Sequence, residues 1–341
     1  MDICEPNDNK NIIISGTSIK FAFTMLLNGA DGESKRELET FLGENVKELN
    51  SETEKILEEC GDSLKLANSY WIAGPNQVNE GYREIIKQYQ NAEIKVEDFQ
   101  LPETLEKINN WIDTNTNGLI QKLLDELPPD LISMLINTLY FKAQWEKPFS
   151  EYLTHEDMFF GTEKSSSVQM MKTSTNAYLE NEYVKGFGLH YENTPYEFIG
   201  ILPNKEGDFK LEELDLNNLY HKNENYNVNV NFPKLDVAFE VQLKDVLKQI
   251  GLDAPFSNGK DFISMLSIPQ VVSKIIHKTN FKLDEKGTEA AAATVIMMVR
   301  GMAIEKEKPI EVNLIFNRPF AFMIRHTQTH ELLFIGKINN L

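Results

Sequence analysis

The hydrophobic period of the sequence changes near residue 130, and this change constrains the fold more than any other feature. Before it, the patterns are helical. Residues 18–27 have the length and apolar density of a buried helix, and amphipathic or further helical patterns follow in residues 33–41, 52–59, 81–89 and 105–124. Gly118 is a predicted break within the last of these segments.

Beyond residue 130, strand patterns dominate. They occupy residues 131–141, 228–232, 310–316, 320–325 and 332–335. The first run is apolar almost throughout, which predicts a strand buried on both faces, whereas residues 228–232 alternate strictly, which predicts a half-buried strand. Because no linker rich in Pro, Gly or Ser separates the helical half from the strand-rich half, the sequence predicts one large α+β domain.

Charge and composition limit the kinds of partner that we expect this protein to bind. Across 341 residues, 34 Lys and Arg face 52 Asp and Glu, a net charge of −18, which repels phosphate backbones and anionic lipid, so we expect neither a nucleic-acid nor a membrane partner. No run approaches the ~20 apolar residues of a membrane span, and the first residues lack the apolar segment of a signal peptide. With only Cys4 and Cys60 and no N-glycosylation sequon, we expect a cytoplasmic protein, with export without a signal peptide left open.

Motifs for enzyme chemistry are missing from the sequence. It contains no nucleophile elbow, phosphate-binding loop, dinucleotide-binding glycine pattern or zinc-protease motif. His326 and His330 straddle a turn between two strand patterns, so they do not share a helix face as a metal pair would. We therefore expect no enzyme activity, no cofactor and no metal site.

Residues 288–296, TEAAAATVI, combine alanines, which favour helix, with Thr, Val and Ile, which favour strand. One interpretation is an apolar helix with Thr288 as its N-cap. Such a helix would need burial on nearly every side, yet the hydrated sequence EKEK follows at residues 305–308. The other interpretation is a segment that first serves as a loop and later becomes a strand. Taken alone, the residues leave both open.

This segment belongs to an ordered series of short motifs along residues 10–341. The series comprises residues 11–18 (NIIISGTS), 137–149 (NTLYFKAQWEKPF), 168–172 (VQMMK), 232–235 (FPKL), 247–252 (LKQIGL), 256–257 (FS), 276–278 (IHK), 284–294 (DEKGTEAAAAT) and 317–320 (NRPF). Each motif is weak alone, but in this order they resemble the serpins, a family of serine protease inhibitors.

The resemblance implies a serpin fold, α+β, with three β-sheets and about eight helices in a single domain over residues 1–341. Few residues precede Asn11, so the family's first helix is expected to be shortened or missing. The region before Leu64 leaves little room for the family's fourth helix.

By the same resemblance, residues 285–309 form an exposed reactive-centre loop. After a protease cuts it, the loop inserts into the central sheet and traps the covalent acyl-enzyme, so the expected partner is a serine protease and the expected state a monomer. The implied loop hinge comprises Glu285, Gly287, Thr288, Glu289, Ala290, Ala291, Ala292, Ala293 and Thr294. A polar cluster beneath the sheet, called the shutter, comprises Ser15, Ser18, Asn137 and His277; the alternative for His277 is a single histidine satisfied in a static core.

The hinge residues suit strand insertion on physical grounds. An inserting strand must present small or apolar groups to its buried face at every second position and must not contain proline. With Thr288 facing inward, Ala290, Ala292 and Thr294 also face inward. Glu289, the one charged residue within 287–299, then faces solvent.

The sequence constrains the position of the scissile bond less than the position of the hinge. Counting from Glu285 with the family's usual loop length places the bond after Gly301, which offers a protease pocket no side chain. One residue shorter selects Arg300, which suits trypsin-like proteases, and one longer selects Met302, which suits chymotrypsin-like or cathepsin-G-like pockets. Arg300 is preferred. Two alternatives to serine protease inhibition stay open: a non-inhibitory serpin-fold binding or chaperone-like protein, and cross-class inhibition of papain-like cysteine proteases.

Overall fold

A computed structural model describes residues 9–59, 61, 63–74, 76–207, 209–222, 225–272, 275–288 and 308–341. The helices are α1 Gly16–Asn28, α2 Gly32–Leu42, α3 Val46–Glu59, α4 Glu80–Gln90, α5 Pro102–Asn115, α6 Lys244–Gln249, α7 Ala254–Ser257 and α8 Ile263–Leu266. The strands are β1 Ile12–Ile14, β2 Leu64–Ala73, β3 Glu93–Glu97, β4 Ser133–Phe141, β5 Ala143–Gln144, β6 His155–Phe160, β7 Ser165–Thr175, β8 Tyr178–Glu180, β9 Val184–His190, β10 Tyr196–Pro203, β11 Tyr226–Pro233, β12 Leu235–Gln242, β13 Ile276–Leu283, β14 Gly287–Thr288, β15 Ile310–Ile315, β16 Phe320–His326 and β17 Leu332–Ile338.

Three sheets organise these strands. The first has six strands in the order β1-β17-β16-β10-β9-β8, and the second, here called the outer sheet, has the order β15-β11-β7-β6. The remaining strands form two hydrogen-bonded groups, β3-β2-β4 and β12-β13-β14-β5. Because only Lys142 separates β4 from β5, we treat these two groups as one main sheet. The predicted α+β architecture is confirmed, and the predicted number of three sheets is obtained when these two groups are counted as one.

Aromatic packing holds the sheets together. The buried Phe198 on β10 contacts Phe232 of the outer sheet, with ring centroids 5.4 Å apart. Phe322 on β16 stacks on Phe281 of the main sheet at 4.6 Å. The six-stranded sheet therefore packs against both other sheets, and burying rings of this size contributes about 2–3 kcal/mol each.

Helix α1 packs against strand β4 of the main sheet. The Ser15 hydroxyl caps the helix by accepting a 3.1 Å hydrogen bond from the N–H of Ser18. Phe21, Met25 and Leu27 are buried, and the helix lies against β4 and β17. The predicted buried helix at residues 18–27 is confirmed.

The structure corrects three expectations. The helix predicted over residues 105–124 ends at Asn115, since the Thr116 hydroxyl accepts from the N–H of Ile120 and donates to the carbonyl of Ile112, which closes the helix end. The run at 131–141 is not buried on both faces, because Ser133, Leu135, Asn137 and Leu139 are only half-buried. Finally, the 14-residue α3 shows that the region before Leu64 does hold a full helix.

Among the described residues, β1 is the first element and no helix precedes it.

Candidate functional site

Strand β14 lies in the main sheet at the start of the predicted hinge. It pairs with β13 on one side, Leu283 opposite Thr288, and with β5 on the other, Gly287 opposite Gln144 and Thr288 opposite Ala143. Both pairings are antiparallel. We call residues 284–288, with β5, the closed end of the main sheet.

Gly287 fits the closed end because it has no side chain. A Cβ atom at this position would lie 2.1 Å from the carbonyl oxygen of Ala143 and 2.8 Å from the Cα of Gln144. Both obstacles are backbone atoms, which cannot move aside as a flexible side chain could. The close approach of β14 to β5 therefore requires glycine.

Thr288 is buried, with 3% of its surface exposed, and its hydroxyl lies 2.6 Å from the phenolic oxygen of Tyr191. The Tyr191 ring stacks on Trp145 at 4.5 Å, and the Trp145 indole N–H donates to the carbonyl of Asp284 at 3.0 Å. Burial raises the pKa of the Tyr191 hydroxyl far above its usual value, so this group stays neutral. The Thr288 side chain therefore faces the interior.

Glu285 anchors the closed end through its side chain. Its carboxylate accepts from the Lys234 ammonium at 2.8 Å and from the Thr154 hydroxyl at 2.7 Å. Burial alone would raise the pKa of this carboxyl, but the two hydrogen bonds outweigh it and hold the pKa below its usual value. The Glu285 carbonyl also accepts from the N–H of Phe149 at 2.8 Å. Residue 285 is thus held by both its side chain and its backbone.

Beyond β14, none of the described strands lies between β4 and β13. In the described part of the chain, β4 pairs only with β2, and β13 pairs only with β12 and the single residue Thr288. A cavity of about 220 Å³ lies between β4 and β13, with walls that include residues 133–139, residues 275–279 and α1. We call this region the open end. It also accounts for the half-burial of β4, whose second edge pairs with no described strand there.

The four predicted shutter residues meet at the open end. The N–H of Ser15 donates to Nε2 of His277 at 3.1 Å, and the Ser15 hydroxyl accepts from the N–H of Ser18. The Ser18 hydroxyl donates to Oδ1 of Asn137. Ser15 and His277 thus join β13 to the start of α1, and Ser18 and Asn137 join α1 to β4.

His277 is neutral in this environment. It is 93% hidden from solvent, and burial lowers its pKa to about 4. Because Nε2 accepts the N–H of Ser15, the proton of the neutral ring lies on Nδ1. Protonation of Nε2 would break the bond to Ser15.

Sequence reasoning missed several partners of these residues. Asn68 on β2 accepts from the Asn137 amide at 2.7 Å and donates to the carbonyl of Gln90 at 2.6 Å. The Thr279 hydroxyl lies 3.1 Å from Nε2 of His277. The available signal was a polar residue within a strand-like apolar stretch, as Asn68 is in LANSYWIA. Lys234, which lies in the FPKL motif, was not recognised as the partner of Glu285.

The remaining predicted site residues lie outside the described residues. They are the hinge residues Glu289, Ala290, Ala291, Ala292, Ala293 and Thr294 and the candidate reactive-bond residues Arg300, Gly301 and Met302.

His326 and His330 flank the turn between β16 and β17. The Nδ1 of His326 accepts from the N–H groups of Gln328 and Thr329, so it helps to close the turn. Within the described ranges, no group of three His, Cys, Asp or Glu could hold a metal ion. None of the helices described is long and apolar enough to cross a membrane.

A serpin family model, described as "Serpin (serine protease inhibitor)", matches residues 2–341. The chain belongs to the serpin family. Members of this family are generally protease inhibitors rather than enzymes, although some are non-inhibitory.

Sequence relatives of this serpin match nearly its whole length. Alpha-1-antiproteinase of Ovis aries is 30% identical over 99% of this chain and 84% of the relative. Serpin B4 of Homo sapiens is 30% identical over 97% of this chain and 93% of the relative.

Solved serpin structures confirm the fold. The thermophilic serpin tengpin in its native state superposes with a TM-score of 0.85 at 27% identity, over 99% of this chain and 90% of tengpin. Tengpin in its latent state superposes with a TM-score of 0.81, at 26% identity over 100% of this chain and 94% of that one.

Proposed function

We propose that this serpin is a suicide-substrate inhibitor of serine proteases, which traps the acyl-enzyme by inserting its cleaved loop between β4 and β13. The observation that carries the proposal is the sheet itself. Among the described residues, β14 lies between β5 and β13, and farther along the sheet β4 and β13 border a cavity with no described strand between them.

The register of β14 supports insertion along the whole open end. Thr288 lies opposite Ala143 and opposite Leu283, both antiparallel. If the same register continues, residue 298 lies opposite Ser133 at the start of β4, and residue 295 lies opposite Ile276 at the start of β13. The open end thus has strand partners for the proline-free segment at 289–298, in which every residue after Glu289 is small or apolar.

The same register gives Thr294 a specific place. It would lie opposite Asn137 on β4 and opposite His277 on β13, where its side chain would face the same side as theirs. A hydroxyl that arrives there can exchange hydrogen bonds with the shutter, whose buried polar groups need partners when the sheet opens. This supports a gate role for Ser15, Ser18, Asn137 and His277.

Insertion would supply both the motion and the driving force. A strand from Thr288 to Arg300 spans about 40 Å at ~3.3 Å per residue, so an attached protease would be carried that far. Deacylation requires accurate placement of the protease nucleophile and its hydrogen-bond donors, and ~1 Å errors can slow such steps by ~100-fold. Strand pairing that forms only after the cut would make the uncut protein a kinetically held state.

In this proposal the reactive bond follows Arg300 and the target is a trypsin-like protease. Met302, with a chymotrypsin-like or cathepsin-G-like target, is the alternative. The monomeric state, the single domain over residues 1–341 and the cytoplasmic location stay predictions.

The test is incubation with trypsin, chymotrypsin and cathepsin G, followed by denaturing electrophoresis. An adduct that survives SDS is expected with at least one of them, and mass spectrometry of the released C-terminal peptide identifies the bond. Cleavage at the loop without any adduct would reject inhibition and favour the non-inhibitory alternative.

A further inference from the structure

The solvent face of the outer sheet carries a regular array of amides. Asn227, Asn229 and Asn231 project outward from β11, while Val228 and Val230 between them are buried. The outward residues recur every ~6.6 Å along the strand. The alternation at residues 228–232 predicts a half-buried strand, but the proposed function gives the polar face of this strand no role.

Strand β15 continues this array, because it runs parallel to β11 and in register with it. Asn227 lies opposite Glu311, Asn229 opposite Asn313 and Asn231 opposite Ile315. Glu311 is the centre of the array. Its carboxylate accepts from the Asn227 amide at 2.9 and 3.0 Å and from the Asn229 amide at 3.1 Å.

These bonds give Glu311 the character of a preorganised acceptor. The carboxylate is exposed and fixed by two neutral amides, and no Lys or Arg of the described residues forms a salt bridge with it. An exposed glutamate usually loses side-chain entropy when it pairs with a cation, but here the neighbouring amides have already restricted it. A carboxylate held in this way is suited to an incoming Arg or Lys side chain.

The array lies within reach of a protease bound to the loop. Arg300 and Glu311 are 11 positions apart, which limits their Cα atoms to a separation of about 40 Å even for a fully extended chain. A globular protease of ~230 residues is about 45 Å across. Its body therefore extends farther than the distance from the cut bond to Glu311.

We propose that the outer face of β11 and β15, centred on Glu311, is a secondary docking surface that contacts a basic side chain on the rim of the target protease's active site. This inference rests on the proposed function and deepens it. The net charge of −18 attracts basic proteases in general, and Glu311 selects among them by a local contact.

The experiment compares Glu311→Gln with Glu156→Gln. Glu156 is an exposed glutamate on β6, at the opposite edge of the outer sheet, so both variants remove one charge from the same sheet. The rate constant for consumption of the intact protein is measured with whichever of trypsin, chymotrypsin and cathepsin G reacts fastest, at low and high salt. Thermal midpoints check that both variants fold.

We expect Glu311→Gln to slow consumption about 5-fold at low salt and to weaken its salt dependence, whereas Glu156→Gln changes the rate less than 2-fold. Asn229→Ala, which releases Glu311 from one amide, should give a smaller decrease than Glu311→Gln. Equal effects of the two glutamate variants, or no effect of either, would overturn the docking surface.

Consumption is measured as loss of the intact loop, whether the product is an adduct or a cleaved chain. A cleaved chain without an adduct therefore rejects the proposed inhibition while the rate comparison still tests the docking surface. A synthetic peptide of residues 295–310, which lacks Glu311, gives the rate of bond cleavage without the sheet.

Discussion

The closed end and the open end of the main sheet differ in how β13 is connected to the strands that face it, β5 at the closed end and β4 at the open end. At the closed end, β14 joins β5 to β13, and Glu285 and Thr288 are each held by side chains from other elements. At the open end, β4 and β13 are separated by a cavity, and the polar groups there bond through α1 instead of across the sheet. The difference indicates that one end fixes where a strand starts, and the other end keeps room for the rest of it.

The largest expected effect is on insertion of the cleaved loop, which would start at the closed end. Thr288→Arg would place a charge and a long side chain in a buried site beside Tyr191. We expect the fraction of protease trapped as an SDS-stable adduct to fall more than ~10-fold, with loop cleavage retained. Gel densitometry measures both products, and Thr288→Ser, which keeps the hydroxyl, is the matched control. An unchanged adduct fraction in Thr288→Arg would contradict insertion.

A second prediction tests the open end through pH. An unfolded histidine has a pKa near 6.5, while burial lowers the pKa of His277 to about 4. Between these values the unfolded state binds more protons, so stability decreases as pH falls from 6.5 towards 4. We expect His277 to account for a loss of about 2 kcal/mol between pH 7 and pH 5.

Urea unfolding of the uncut protein at both pH values measures this loss, and His277→Gln should reduce the pH dependence by that amount. The same pH dependence in the variant and the parent protein would mean that His277 is not buried as a neutral base.

A third prediction sharpens the description of the closed end. Lys234→Ala leaves the Glu285 carboxylate with Thr154 as its remaining side-chain donor, and we expect the free energy of unfolding to fall by about 1–2 kcal/mol. Lys282→Ala is the control, since its ammonium lies 3.4 Å from the exposed Asp236 carboxylate, and it should cost less than ~0.5 kcal/mol. Equal losses for the two variants would show that the Glu285 pair behaves as an ordinary surface ion pair.

The smallest expected effect is that of Ser18→Ala. This change removes the donor to Asn137 and should lower the free energy of unfolding by about 1 kcal/mol. Ser257→Ala, at an exposed site on α7, should change it by less than ~0.5 kcal/mol. A change in Ser18→Ala no larger than in Ser257→Ala would remove Ser18 from the shutter.

The sequence predicted the elements whose pattern is local. Strict alternation at 228–232 predicted the half-buried β11, and apolar density at 18–27 predicted α1. It failed where the outcome depends on a neighbour. The run at 131–141 looks fully buried from its composition, but β4 is half-buried because β13 does not pair with it along the cavity.

The same limit applies to the candidate site. Ser15, Ser18, Asn137 and His277 were named through the resemblance to serpins, and the structure joins them by hydrogen bonds. Lys234 and Glu285 are 51 positions apart and meet only because β13 and the start of β12 bring them to one corner. No local pattern in the sequence predicts that these two residues are in contact.

The most direct test of insertion is the heat resistance of the protein before and after a single cut in the loop. The loop is cleaved by a protease between residues 299 and 303, and the thermal midpoints of cut and uncut protein are compared under the same conditions. Insertion of ten residues between β4 and β13 predicts that the midpoint rises by more than ~10 °C after the cut. A cut protein with the same or a lower midpoint would contradict the account.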